Sequence, residues 1–271
     1  PVIVGASLAW AEGSAVKAWV FLLSLACATL IQVGTNLLND VTDFEKGNDK
    51  ADRLGPLRIT AAGWATPREV RRAALAVFLL ALATGLVLVW TGGLFILALG
   101  LISLIAAWAY SGGPKPVSHG PFGELFVLAF FGLVGVIGSH YLQAGAFSFV
   151  ALPTGVAIGA MASAVLLLNN YRDLAMDKAA GRRTLAALLG PARAQLLYAV
   201  FVLLPLALPP WLALRNPPSP GAWLALLAAP LMWRVAVAMR RAQGAALNPV
   251  LAQTALAQFV FSLLLSIGVL L

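Results

Sequence analysis

Apolar stretches of about 20 residues, the length that crosses a ~30 Å hydrocarbon core, recur along the whole of this 271-residue chain. They are read at 1–11, 17–39, 70–90, 94–110, 124–143, 147–169, 193–214, 222–239 and 250–271. In lipid every backbone N–H and C=O must find a partner inside the protein, which leaves helices or a closed barrel. The runs are continuous rather than alternating, so helices are expected. The predicted fold is all-α: a polytopic membrane bundle of about nine transmembrane helices around a central cavity. The first run is short for a span and the chain does not open on Met, so that helix is expected to be truncated. Only 10% of residues are charged and 61% are hydrophobic, against about a quarter charged in soluble domains. No polar stretch is long enough for a soluble domain, so residues 1–271 are read as one transmembrane domain. A weak internal repeat would divide it into halves at roughly 1–120 and 121–271. The lone cysteine, Cys27, lies in an apolar run and is read as packing.

Charge supports the segmentation. Sixteen of the eighteen Lys and Arg fall in or beside the loops after segments two, four, six and eight; only Lys17 and Arg215 lie on the other side. Basic loops mark the cytoplasmic face, so the net charge of +8 reads as membrane orientation and not as nucleic-acid binding. Thr66-Pro67-Arg68-Glu69 is a capping box with proline at the first helical position, which starts segment three.

Seven of the ten acidic residues gather in or just after two clusters, each at the cytoplasmic end of an even-numbered segment. The first runs from Asn36 through Asn39, Asp40 and Asp43 to Asp49; the second runs from Asn169 and Asn170 through Asp173 to Asp177. Asn36, Asp40 and Asp43 follow helical spacing, as do Asn169, Asp173 and Asp177, so each set projects oxygens from one helix face. Hard oxygen ligands with no His or Cys nearby in the sequence suit Mg²⁺. Carboxylates near a membrane are costly and are functional candidates by default. Cations follow both clusters: Lys46, Lys50, Arg53 and Arg58, then Lys178, Arg182 and Arg183. Carboxylates, Mg²⁺ and cations together are what a diphosphate leaving group requires.

Asn39-Asp40-x-x-Asp43 and Asp173-x-x-x-Asp177 resemble the two aspartate-rich motifs of the UbiA superfamily of intramembrane aromatic prenyltransferases. Lys46 to Arg58, Tyr110-Ser-Gly-Gly113-Pro114, His119-Gly120-Pro-Phe-Gly123-Glu124 and Asp177 to Leu185 are most similar to its 1,4-dihydroxy-2-naphthoate polyprenyltransferase branch. The resemblance covers nearly the whole chain. It departs where the superfamily has a third aspartate: Gly47 stands there, and Asp49 is the nearest substitute ligand. The resemblance implies Mg²⁺ as cofactor, with Asp40, Asp43, Asp173 and Asp177 as the catalytic acids. It implies a polyprenyl diphosphate donor, 1,4-dihydroxy-2-naphthoate as acceptor, surrounding membrane lipid as a partner and a bacterial inner-membrane location. The donor would ionise to an allylic cation; the ring would attack with loss of its carboxylate and a proton, giving demethylmenaquinone for menaquinone synthesis.

Tyr110, Tyr141 and Tyr171 are placed near cavity-facing ends, where a ring can face a cation, although tyrosines also populate the interfacial belt. His119 sits in a Gly/Pro loop and is a candidate for acceptor binding or proton transfer. Glu124 and Asn248 are explained as helix starts. An ion-coupled transporter is the rival class, but its acids would lie at the midplane beside interrupted helices. Another aromatic acceptor within the same superfamily is the nearer alternative.

Overall fold

A computed structural model describes residues 1–47, 54–113 and 116–271. Asp49, Lys50 and Arg53 lie outside the described residues. The described chain is helical throughout: α1 (Val2–Ala11), α2 (Ala18–Glu45), α3 (Pro67–Ser111), α4 (Gly123–Ala144), α5 (Ala151–Arg172), the short α6 (Leu174–Ala179), α7 (Leu185–Leu214), α8 (Pro220–Arg241) and α9 (Gly244–Leu270). All but α1 and α6 are long and apolar enough to cross a membrane.

α3 has 45 residues, about 67 Å at the α-helical rise and twice what a bilayer needs. It is a hairpin. Glu45, the last residue of α2, pairs with Arg71 in the second turn of α3, while neighbouring Lys46 reaches the carbonyl of Gly113, two residues past its end. Both ends of α3 therefore lie at one end of α2. The reversal occurs at Gly93, whose φ of 61° favours glycine. With α3 counted as two arms and the short α1 counted as one, the described residues form the nine apolar segments expected.

Local signals hold where they were read. Thr66 Oγ1 accepts from the Glu69 amide while the Glu69 carboxylate accepts from the Thr66 amide at 2.8 Å, closing the capping box. The first acidic motif lies on α2 itself, which runs six residues beyond the expected end of its segment.

α5 is the central helix: 72% of its apolar window is buried, against 17% for α2 and α3, which face outward. Small residues bring α4 against α5. A Cβ on Gly132 would lie 2.3 Å from the carbonyl of Gly155, and one on Gly159 would lie 2.6 Å from that of Leu128. Close backbone approach through small residues is how helices associate in lipid. α4 is π-helical over Leu128–Val134 at this contact, a distortion frequent near functional sites.

Candidate active site

Helical geometry divides the acids at the end of α2. Asn39 and Asp43, four residues apart, line a cavity of about 100 Å³. Asp40 is rotated away. Its Oδ2 accepts from the Ile59 amide at 2.9 Å, and its Oδ1 accepts from the Thr60 amide at 3.1 Å and from the Thr60 hydroxyl. These bonds dock the turn at residues 58–62 onto α2. Arg58 begins that turn; its Nη1 donates to the Asn39 carbonyl at 2.9 Å and pairs with Asp43 Oδ2 at 2.8 Å. Asp40 thus acts on the cavity through the position of Arg58. Asn36 is exposed and is absent from the cavity lining. The expected Asn36–Asp40–Asp43 face is corrected to Asn39 and Asp43, because the turn at 58–62 captures the neighbouring face.

The second cluster straddles a helix junction. α5 ends at Arg172, and Asp173 departs from helical geometry with φ −92° and ψ 9°. The i→i−4 bonding nonetheless continues, from Asp173 to Asn169 at 3.1 Å and from Asp177 to Asp173 at 2.9 Å. Spacing therefore places Asn169, Asp173 and Asp177 on the cavity as helical reasoning expects. Buried Arg172 grips Asp173 with two nearly parallel bonds of 2.8 and 2.7 Å. It also donates to Asn169 Oδ1 at 2.8 Å and to Asn248 Oδ1 at 2.9 Å. Asn248 in turn donates to the Leu54 carbonyl at 2.8 Å, tying the start of α9 to the loop after α2.

Arg182 joins the two clusters. It pairs with Asp43 of α2, 139 residues away, and lies 3.5 Å from Asp177. Asn39, Asp43, Arg58, Tyr110, Asn169, Asn170, Asp173, Asp177 and Arg182 all line one cavity. Burial pushes the Asp177 carboxyl up to about 6; Arg182 opposes this, Asp173 and Asp43 add to it, and His119 offsets part of it.

Sequence comparison decides what this cavity belongs to. Residues 1–268 match the model of the UbiA prenyltransferase family. The chain belongs to the UbiA prenyltransferase family. It is accordingly a membrane-embedded prenyltransferase. A 1,4-dihydroxy-2-naphthoate octaprenyltransferase of Mycobacterium tuberculosis is 40% identical over 97% of this chain and 89% of its own length. The protein of the same name from Escherichia coli is 38% identical over 99% and 89%. In fold, a UbiA homologue from Aeropyrum pernix K1 superposes with a TM-score of 0.74 at 15% identity, covering 98% and 96% of the two chains. A UbiA homologue from Archaeoglobus fulgidus, solved with DMAPP and Mg²⁺, gives 0.62 at 17%, covering 99% and 94%.

The UbiA cavity has the donor chemistry for Mg²⁺: three carboxylates and several amide oxygens, with no cysteine in its lining. Among the described residues, however, no three acidic or imidazole groups stand close enough to hold one ion. Guanidinium groups stand between the acids instead. Arginine binds carboxylate and phosphate oxygens alike, so a ligand bearing both cation and phosphate can take over these contacts with little change in backbone.

The remaining candidates separate. Tyr110 lines the cavity. His119 Nε2 is 3.8 Å from Asp43, and its carbonyl accepts from the Arg183 amide at 2.9 Å, so it borders the site. The side chains of Lys46, Lys178 and Arg183 are exposed and do not line the cavity. Tyr171 is also absent from the lining; its hydroxyl accepts from Gln195 at 2.9 Å. Tyr141 lies at the opposite end, packed on Phe95 and Phe147 with ring centres 4.6 and 5.0 Å away. Its position near the C-terminus of an odd-numbered crossing, three residues before the end of α4, already points there. Sequence reasoning gave Asn170 no role of its own and read Asn248 only as a helix start. Asn170 adjoins an assigned ligand, and its own part depends on the helix beside it.

Proposed function

We propose that the chain transfers a polyprenyl group from polyprenyl diphosphate to 1,4-dihydroxy-2-naphthoate, at the cytoplasmic face of a bacterial inner membrane, in menaquinone synthesis. The observation that carries this reading is Arg182 spanning Asp43 and Asp177, which brings both aspartate-rich motifs and two guanidiniums onto one cavity. The similarity to naphthoate octaprenyltransferases over nearly the full chain supports the choice of acceptor.

Asp43, Asp173 and Asp177, with Asn39 and Asn169, would hold the cation. Mg²⁺, when bound, neutralises the diphosphate and makes it a better leaving group. Arg58 and Arg182 contact diphosphate oxygens, and their charge is placed where negative charge grows as the allylic C–O bond breaks. Lys46, Lys178 and Arg183 draw the polyanion toward the site by longer-range attraction. The ring of Tyr110, stacked on Phe126 at 5.5 Å, faces the allylic cation. The electron-rich naphthoate ring attacks that cation; the new C–C bond replaces the carboxylate, and CO₂ and diphosphate leave. The product is the quinol, which an external oxidant converts to demethylmenaquinone. The prenyl tail lies along the apolar exterior of the bundle, in contact with lipid.

The test is direct. Protein reconstituted in lipid is supplied with polyprenyl diphosphate and dihydroxynaphthoate, with and without Mg²⁺. Prenylated naphthoquinol and released diphosphate are expected only with the metal. Product with hydroxybenzoate alone would assign another acceptor, and absence of diphosphate release with every acceptor would refute the reading.

A further inference from the structure

Glu124 begins α4 beside the cavity and is 1% exposed. A helix-dipole role does not require burial, since an acid in a first turn works at the surface. Burial here leaves one oxygen without a hydrogen-bond partner among the described residues, Oε2. Leaving a carboxyl oxygen buried and unpaired is costly. The other oxygen, Oε1, accepts from Asn170 Nδ2 at 2.9 Å, and the Glu124 backbone carbonyl accepts from Ser163 Oγ at 2.7 Å. Ser163 and Asn170 lie seven residues apart on α5, on the face that the glycine contacts press against α4.

This contact fixes an orientation. Oε1 accepts from Asn170 Nδ2, so the amide turns its NH₂ toward Glu124 and its carbonyl Oδ1 away. Asn170 also lines the cavity. The adjacent Asn169 has the opposite arrangement, with its carbonyl oxygen bound by Arg172 at 2.8 Å. The two asparagines are therefore not equivalent. Tyr110 and Leu166 line the same cavity as Asn170, and Tyr110 continues into the Phe126–Phe130 stack, whose ring centres are 4.5 Å apart. The cavity thus combines carboxylates and guanidiniums with an aromatic ring, an apolar side chain and one oriented amide.

We infer that Glu124 is a positioning residue for the hydroxylated aromatic acceptor, holding Asn170 so that its carbonyl accepts a hydrogen bond from a ring hydroxyl. The inference rests on the prenyl-transfer reading above. Glu124 itself contributes by orienting the amide.

The test compares wild type with Glu124→Ala, Glu124→Gln, Asn170→Ala and the Glu124→Ala/Asn170→Ala pair in the full reconstituted chain. Acceptor is varied at saturating polyprenyl diphosphate, then donor at saturating acceptor. Glu124→Ala is expected to raise the acceptor KM about tenfold, the size of one lost hydrogen bond, with donor KM and Mg²⁺ requirement unchanged. Glu124→Gln, whose amide oxygen still accepts from Asn170, restores most of the loss. Asn170→Ala matches Glu124→Ala, and the pair is no worse than either. The inference is overturned if Glu124→Ala alters donor KM or metal requirement instead, if it alters nothing, or if Glu124→Gln is as impaired as alanine. Should Glu124→Ala fail to fold, Asn170→Ala decides: an unchanged acceptor KM overturns it. A wild type that transfers no prenyl group refutes the underlying reading instead, and the wild-type arm shows this by itself.

Discussion

At the end of α2, Asp40 is fixed by two backbone amides and a hydroxyl, whereas Asp173, at the α5–α6 junction, is held by the side chain of Arg172. Backbone donors are set by the fold and cannot leave. Guanidinium donors can exchange one oxygen partner for another when a phosphate arrives. The two motifs, alike in residue type, therefore divide the work: one member of the first secures a loop, while the other three acids face the cavity. Asp43 belongs with the second cluster in this respect, since Arg58, Arg182 and His119 meet it through their side chains.

Substitution within the first motif is the strongest way to break this comparison. Asp43→Ala removes a cavity carboxylate and takes one partner from each of two arginines, and prenyl transfer is expected to fall by about a thousandfold or more, as for loss of a main electrostatic element. Asp40→Ala unties the 58–62 turn and displaces Arg58. A loss of about ten- to hundredfold is expected, with thermal stability lowered by about 1–3 kcal/mol from stranded amides. Thr60→Val should follow Asp40→Ala in direction with a smaller effect. Steady-state rates and thermal unfolding in detergent measure both. Equal losses at Asp40 and Asp43, with unchanged unfolding, would erase the distinction.

The span count, the tight turn at Gly93 and the capping box at Thr66 were legible because each is a local property of spacing and residue type. So was the convergence of the two motifs, since both close even-numbered segments on the same side. What was not legible depends on an element distant in sequence. Asp40 shares its helix face with Asn36 by spacing alone, and only the turn at residues 58–62 shows which acid is captured. Asn169 and Asn170 are adjacent, and only the approach of α4 tells which carbonyl is engaged. Glu124 satisfies a dipole argument so well that nothing in the sequence calls for its burial. Periodicity gives position along a helix, whereas the partner around its circumference comes from packing.

Asp177 sharpens the contrast by pH. Its carboxyl titrates at about 6 in the fold, above its ordinary value of 3.8, with burial as the main cause. The sign is that of a raised acid: ionising Asp177 opposes folding, so the metal-free protein loses stability as pH rises from about 4 to 6 and changes no further above that. A cation needs the ionised form. Apparent Mg²⁺ affinity should therefore fall by up to about tenfold per pH unit below 6 and level off above 7, with proton release on binding at the lower pH. Asp177→Asn should weaken binding and flatten this profile. Calorimetric Mg²⁺ titrations from pH 5 to 8 provide the check, and a flat wild-type profile would remove Asp177 from the cation's ligands.

The opposite end of the bundle supplies the smallest effect and the control for all the others. There Glu12, just beyond α1, receives a hydrogen bond from Ser148 at 2.7 Å and contacts His140 Nε2 at 2.9 Å. An acid and an imidazole also sit together at the cavity, but here neither arginine nor a second carboxylate is paired with them among the described residues, and His140 is 2% exposed. The cluster fastens α1 to the end of α4 and to the loop before α5. Glu12→Gln should lower stability by about 1–2 kcal/mol, the range for weakening a partly buried charge-assisted bond, while kcat, both KM values and the Mg²⁺ requirement stay at wild type. If Glu12→Gln shifted the acceptor or donor KM, the two ends of the bundle would be coupled through α4. The acceptor KM effect of Glu124→Ala would then have to be measured again in the Glu12→Gln background before it could be assigned to Asn170 alone.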